Sequence, residues 1–178
     1  MINELQITAC KKMQRDAQRQ VYEYMAPKLY RTCKRYLKKE EEIEEVLADS
    51  FYTIFTKIEQ LKEIGAFEAW ARKITVNHCL QQLKRHVNFN LYLEETSFRI
   101  QPESAEETPL EEEDLLNLLE RIPEGCQTIF NLFVIEGYGH KEIAMMLNIS
   151  EGTSKSQLNV AKTKLKDLVN QLYYQKVK

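Results

Sequence analysis

Between Asp16 and Leu37 the apolar positions Val21, Tyr22, Met25, Leu29, Cys33, Tyr36 and Leu37 recur mostly at steps of three and four, the stripe of a helix that buries one face. Pro27 falls inside that stripe, so the pattern predicts either two helical pieces or one kinked helix. The acid-rich run KKEEEIEE opens a second helix, because carboxylates suit the positive end of the helix dipole. Ile43, Val46, Leu47, Phe51, Ile54, Phe55, Ile58 and Leu61 supply its apolar face, and KEIG at 62–65 ends it. In AFEAWARKITVNHCLQQLKRH, Phe67, Trp70, Ile74, Cys79, Leu80 and Leu83 turn mostly inward while cations gather toward the end. Three to four helices of this length close a bundle core of their own.

From Val87 to about Pro109 the periodicity fades. FNLYLEETSF allows a brief extended piece, and RIQPESAEETP, with two prolines and a charge run, reads as linker. Helical pattern then returns in LEEEDLLNLLERIP, stopped by Pro123, and in EGCQTIFNLFVIEGYG, stopped at Gly137 and Gly139. HKEIAMML and EGTSKSQLNVAKTKLKDLVNQLYYQ supply the last two helices. The expected fold is all-α: two small helical domains, residues 1–88 and 111–178, joined by an acidic linker over 89–110, the second a four-helix domain of helix-turn-helix type.

The turn between the last two helices carries the most specific local chemistry. Ala144 is small where two crossing helices approach, Asn148 tolerates the left-handed backbone that ends a helix, Ile149 plugs the angle, and Ser150 is a good N-cap. Leu158, Ala161, Leu165, Leu168 and Leu172 set the buried face of the final helix, with Ser154 on that same face, a hydroxyl where packing favours Val; Ser154→Val is expected to stabilise the domain. Lys155, Ser156, Gln157, Asn159 and Lys162 are then expected outward. In a major groove, Gln and Asn pair bidentately with adenine and Lys reaches guanine or phosphate, while Thr153 and Ser156 are short phosphate donors.

The formal net charge of −2 conceals an asymmetry. Residues 1–90 carry +4, residues 91–125 carry −9, and residues 126–178 carry +3, so two basic blocks flank an acidic bridge. Phe67, Trp70, Arg72, Lys73, Asn77, His78, Lys84 and Arg85 mix rings, amides and cations along one helix and the turn before it. Such a surface suits single-stranded nucleic acid, whose unstacked bases stack on rings, although Phe67 and Trp70 also fit a core. Glu44, Glu45 and Asp49 beside Leu47 and Phe51 make an acidic face with apolar anchors, fit to dock a basic partner or simply to begin a helix.

Cys10, Cys33, Cys79 and Cys126 match neither a disulfide scaffold nor a zinc spacing, and His78, His86 and His140 have no ligand neighbours at metal-binding intervals. No phosphate-binding loop, dinucleotide fingerprint or nucleophile elbow occurs, so no catalytic residue, metal or cofactor is expected and the chain does not read as an enzyme. With no signal segment and no apolar run long enough to span a bilayer, the expectation is a cytoplasmic protein without stable membrane insertion.

These pieces, in this order, resemble a bacterial RNA polymerase sigma factor of the two-domain extracytoplasmic-function class, from about Asp16 to Leu172. IEEVLADSFYTIFTKI is similar to the family's segment that docks on the polymerase clamp, and GAFEAWARKITVNHCLQQLKR to its helix that captures and melts the −10 element. LLERIPEGCQTIFNLFVIEGYGHKEIAMMLNISEGTSKSQLNVAKTKL is similar to its domain that reads the −35 element. The resemblance implies polymerase contacts at Glu45, Leu47, Asp49 and Phe51. It implies a loop from Lys62 to Gly65 that receives a flipped non-template base, and −10 contacts at Arg72, Lys73, Asn77, His78, Gln81, Lys84 and Arg85. The −35 contacts it implies are Thr153, Lys155, Ser156, Gln157, Asn159 and Lys162, with Lys141 near phosphate. Core RNA polymerase, promoter DNA and an anti-sigma factor are the implied partners.

The chain departs from the family at particular positions. Ala48-Asp49 stands where Gln-Glu is common, and the usual GISEGTVKSRLHRARKRL carries Asn148, Ser154, Gln157, Asn159 and Val160 here. The loss of two cations weakens salt-dependent phosphate attraction. Two other readings stay open on the residues alone: a stand-alone helix-turn-helix regulator that binds duplex DNA as a dimer, for which Tyr173 and Tyr174 are the candidate dimer surface, and a helical protein-interaction adaptor.

Overall fold

A computed structural model describes residues 2–86 and 117–176, and every regular element among them is helical. Contacts divide the chain into two units, residues 1–86 and 87–178. The expected linker over 89–110, the possible extended piece before it and most of the helix expected from 110 to 123 lie outside the described residues; 117–119 are helical.

In the first unit, α1 (Glu4–Lys11) opens on a reciprocal cap: Asn3 Oδ1 accepts from the Gln6 N–H, and Gln6 Oε1 accepts from the Asn3 N–H, both at 2.9 Å. It closes without glycine. Met13 takes a φ of 57°, and the N–H groups of Gln14 and Met13 donate to the carbonyls of Ala9 and Cys10 at 3.1 and 2.9 Å. Of the two alternatives around Pro27, the single helix is found: α2 runs from Arg15 to Lys34 with the proline inside it, on the exposed side. Val21, Met25, Leu29 and Cys33 lie buried on both sides of that proline, so packing of both halves on one core outweighs the lost backbone bond.

α3 (Glu40–Lys57) starts with three glutamates and leads through short 3-10 turns at Ile58–Gln60 and Ile64–Ala66 into α4 (Phe67–His86). α2, α3 and α4 pack on one another, and α1 covers α2 and both 3-10 turns. Ile7, Met25, Leu29, Ile43, Ile54, Ile58 and Val76 are fully buried, each contributing about 1.5–3 kcal/mol of apolar burial. The buried hydroxyls of Ser50 and Thr75 are satisfied within their own helices by the carbonyls of Val46 and Ala71, at 2.7 and 3.1 Å.

The second unit contains α5 (Glu124–Phe130), which widens into a π turn over Asn131–Ile135, then α6 (His140–Leu147) and α7 (Glu151–Lys176). Gly137, at a φ of 77°, reverses the chain after the π turn. α5 and α6 both pack on α7, enclosing Leu119, Ile129, Leu132, Ile143, Leu147, Leu158, Ala161 and Leu165. Asn148 adopts the left-handed conformation expected of it, and the Ile149 N–H donates to the Ala144 carbonyl at 3.0 Å. Ser150 Oγ accepts from the Thr153 N–H at 2.9 Å, capping α7.

All four cysteines are buried free thiols. Burial pushes Cys10 and Cys126 up to about 11. A hydrogen bond with Cys33, together with burial, pushes Cys79 well up. Cys10, Cys79 and Cys126 pack as neutral groups.

Candidate nucleic-acid interface

α4 presents its polar side chains in register. Arg72, Lys73, Asn77, Gln81 and Lys84 are exposed, at spacings that place most of them along one side of the helix, while Phe67, Ala71, Thr75, Val76, Cys79 and Leu80 fill the opposite side. Phe67 belongs to the core, with its ring 6.2 Å from that of half-buried Trp70. His78 is half-buried and its Nε2 lies 3.0 Å from Thr53 Oγ1 of α3. Burial holds its imidazole below the usual histidine value despite the nearby Asp49 carboxylate. Arg85 turns toward α3: its Nη1 lies 3.2 Å from Glu45 Oε1 and donates at 2.8 Å to Gln82 Oε1. Lys62 and Gly65 are exposed in the loop before α4.

On α3, the outward residues include Glu41, Glu44, Glu45, Ala48, Asp49, Tyr52 and Thr56, with Leu47 half-buried. Phe51 contradicts its expected role as an outward anchor. It is 5% exposed and belongs to the core, with its ring 5.9 Å from that of Phe55 and 4.5 Å from that of Tyr22, which is itself exposed and covers it. The aromatic that faces outward is its neighbour Tyr52, at 73% exposure. A one-residue step on a helix turns a side chain by about 100 degrees, enough to move it from core to solvent. The expectation that Glu45, Asp49 and a ring share one face therefore transfers to Tyr52, at i+3 from Asp49 and i+7 from Glu45.

In the second unit, Gly152, Lys155, Ser156, Asn159 and Lys162 form the exposed stripe of α7, with Thr153 half-buried at its start and Lys141 exposed on α6. Lys155 Nζ lies 2.7 Å from Glu151 Oε1, and Lys162 Nζ stands 6.0 Å from the Phe133 ring centroid. Gln157 corrects a second expectation. It is 3% exposed, on the inner side of α7, and its Oε1 accepts from the Cys126 thiol at 2.8 Å. Val160, where the family carries a cation, is also buried. The polar side chains that this part of α7 leaves outward are therefore Lys155, Ser156, Asn159 and Lys162.

Ser154 is buried as its spacing implies, yet its hydroxyl has a partner: Ser154 Oγ and His140 Nδ1 lie 2.9 Å apart. The His140 ring stacks on Phe133, with centroids 4.4 Å apart and planes 23° from parallel. Burial and the neighbouring Lys155 hold this imidazole below its ordinary value. The sequence-based expectation that Ser154→Val stabilises the unit is reversed by this bond, because valine leaves the ring nitrogen without its partner. Ser154→Val is expected to lower the stability of the second unit by about 0.5–1.5 kcal/mol in urea melts, the net worth of one hydrogen bond to the half-buried His140 ring. Unchanged or raised stability would contradict the pairing.

Among the described residues there is no group of three metal-ligating side chains, and no helix is long and apolar enough to cross a membrane.

Comparison with known proteins adds to this geometry. Residues 21–88 match the family profile described as Sigma-70 region 2, and residues 112–165 match that described as Sigma-70, region 4. The ECF RNA polymerase sigma factor SigE of Mycolicibacterium smegmatis is 24% identical over 148 residues, covering 80% of this chain and 57% of that protein. The chain thus spans little more than half the length of that curated relative. Among solved structures, CnrH in complex with the cytosolic domain of CnrY aligns with a TM-score of 0.53 at 16% identity, covering 94% of this chain and 96% of that one. The sigma factor RpoE in complex with the anti-sigma factor NepR, from Bartonella quintana, aligns with a TM-score of 0.50 at 17% identity, covering 85% of this chain and 96% of that one. At these identities the likeness is one of fold.

Proposed function

Because the chain belongs to the sigma-70 family, with regions 2 and 4 in order and the features of its extracytoplasmic-function class, we propose that it is a dissociable transcription initiation factor of bacterial RNA polymerase. It acts in the cytoplasm, needs no cofactor and has no turnover of its own. Residues 1–88 bind core polymerase and the −10 element, residues 89–110 form an acidic connector, and residues 111–178 read the −35 element. One observation carries this reading: a single chain holds two separate polar helix faces, α4 in one unit and the α7 stripe in the other, each on its own core.

The steps follow from the chemistry of the faces. Glu45, Asp49 and Tyr52, with Leu47 behind them, meet a basic, partly apolar surface of the polymerase clamp. Lys155 and Lys162 neutralise phosphates while Asn159 offers the donor and acceptor that match adenine in the major groove. Arg72, Lys73, Asn77, Gln81 and Lys84 hold the −10 strand, and the Lys62–Gly65 loop takes an unpaired non-template base. Capturing that base stabilises the open strand, so binding energy drives melting without covalent chemistry. The acidic connector, with five glutamates against Arg99 and a net charge of −4 over residues 89–110, follows basic channels of the polymerase. An anti-sigma protein that covers the α3 and α7 faces would hold the factor inactive.

Transcription from a promoter library by purified core polymerase, with and without the chain, tests this function. Selective initiation only in the presence of the chain is expected. No gain at any salt concentration, or a shift of duplex DNA by the chain alone as a dimer, would contradict it.

A further inference from the structure

We propose that Lys11 is a positioning residue that presets the loop between α3 and α4 for capture of an unpaired base, a role that rests on the melting function above. Its Nζ donates to the Leu61 carbonyl at 2.9 Å, joining the last turn of α1 to a residue 50 positions away. Leu61 is itself buried, and its N–H donates to the Ile58 carbonyl at 3.1 Å, so both polar groups of its backbone are engaged. α1 packs on both 3-10 turns that flank this residue.

The other end of the loop is tied as well. In the first turn of α4, the Glu68 carboxylate accepts from the Tyr24 hydroxyl at 2.7 Å and from Lys28 Nζ at 2.8 Å. The Lys28 hydrogen bond, then that of Tyr24, holds the Glu68 carboxyl below the usual range. Between the anchors, Lys62, Glu63, Gly65 and Ala66 are exposed, and a Cβ added at Gly65 would meet nothing within 4 Å. The loop thus presents open backbone between two fixed points. A loop ordered in advance spares the entropy of ordering it when a base arrives. An ammonium on a carbonyl is a charge-assisted bond, stronger than a neutral one, and suits that task. Ile7 and Cys10 keep α1 on the core independently, so removal of the Lys11 ammonium acts on the loop rather than on the attachment of the helix.

Holoenzyme assembled from core polymerase and the full chain is titrated with forked promoter DNA that carries either the first unpaired non-template −10 base or an abasic site there. The native holoenzyme is expected to prefer the base by about tenfold, the scale of one stacked base. Lys11→Met, and Lys11→Gln beside it, should reduce the preference to about threefold or less while −35 duplex binding stays unchanged; Lys11→Arg should keep it. A full preference in Lys11→Met, with or without a lower melting temperature, would overturn the positioning role alone, as would a loss that Lys11→Arg shares. A native holoenzyme blind to the abasic site would overturn the melting function itself.

Discussion

Phe51→Ala is expected to destabilise the first unit by about 3–5 kcal/mol in urea melts, whereas Tyr52→Ala shifts the same transition by about 0.5 kcal/mol or less and weakens binding to core polymerase instead. The contrast comes from one step of helix phase. Phe51 lies in the core against Phe55 and beneath the exposed Tyr22 ring, so truncation removes apolar burial and leaves a cavity. Tyr52 projects from α3 beside Glu45 and Asp49, where truncation removes contact area offered to a partner and little else. A stable Phe51→Ala variant, or a strongly destabilised Tyr52→Ala variant, would show that α3 is phased differently.

Lys155→Ala combined with Lys162→Ala is expected to weaken binding of the holoenzyme to −35 duplex by roughly 50-fold at about 0.1 M salt and to reduce the salt slope by about 1.8. Gln157 and Val160 stand where the family carries further cations, and both face inward, so under the proposed function these two lysines are expected to carry a large share of the phosphate attraction on α7. Lys155 already pairs with Glu151 at exposed positions, which takes a small discount from its share. Gln157→Ala should behave in the opposite way: an unchanged salt slope with a lower melting temperature, because it removes the acceptor of the buried Cys126 thiol. If Gln157→Ala changed base preference while leaving stability untouched, the assignment of reading to Asn159 and its neighbours would fail.

Much of this architecture is legible in the chain. The apolar steps of α3 and α4, the left-handed Asn148, the Ser150 cap and the Leu158–Leu165 face all follow from local rules that need no tertiary knowledge. Long-range partners account for what local rules miss. Gln157 lies on the inner side because a thiol 31 residues earlier satisfies it, and Ser154 is favourable there because His140 meets it. No pattern of polarity announces either bond. α1 escapes notice as a separate helix because Met13 occupies the left-handed position that glycine usually marks. α2 continues through Pro27 because the buried residues on either side share one core. Likeness to a docking segment implies a contact at Phe51, whereas the apolar stripe of α3 by itself places this ring inward with Ile54 and Ile58, where it lies.

The central claim, that this chain lets polymerase open a promoter and does not do so alone, is tested most directly by permanganate reactivity of −10 thymines. Reactive thymines are expected on a promoter recovered from the library when core polymerase and the chain are both present, and none with either by itself. Unreactive thymines in the complete mixture, or reactivity with the chain alone, would contradict it.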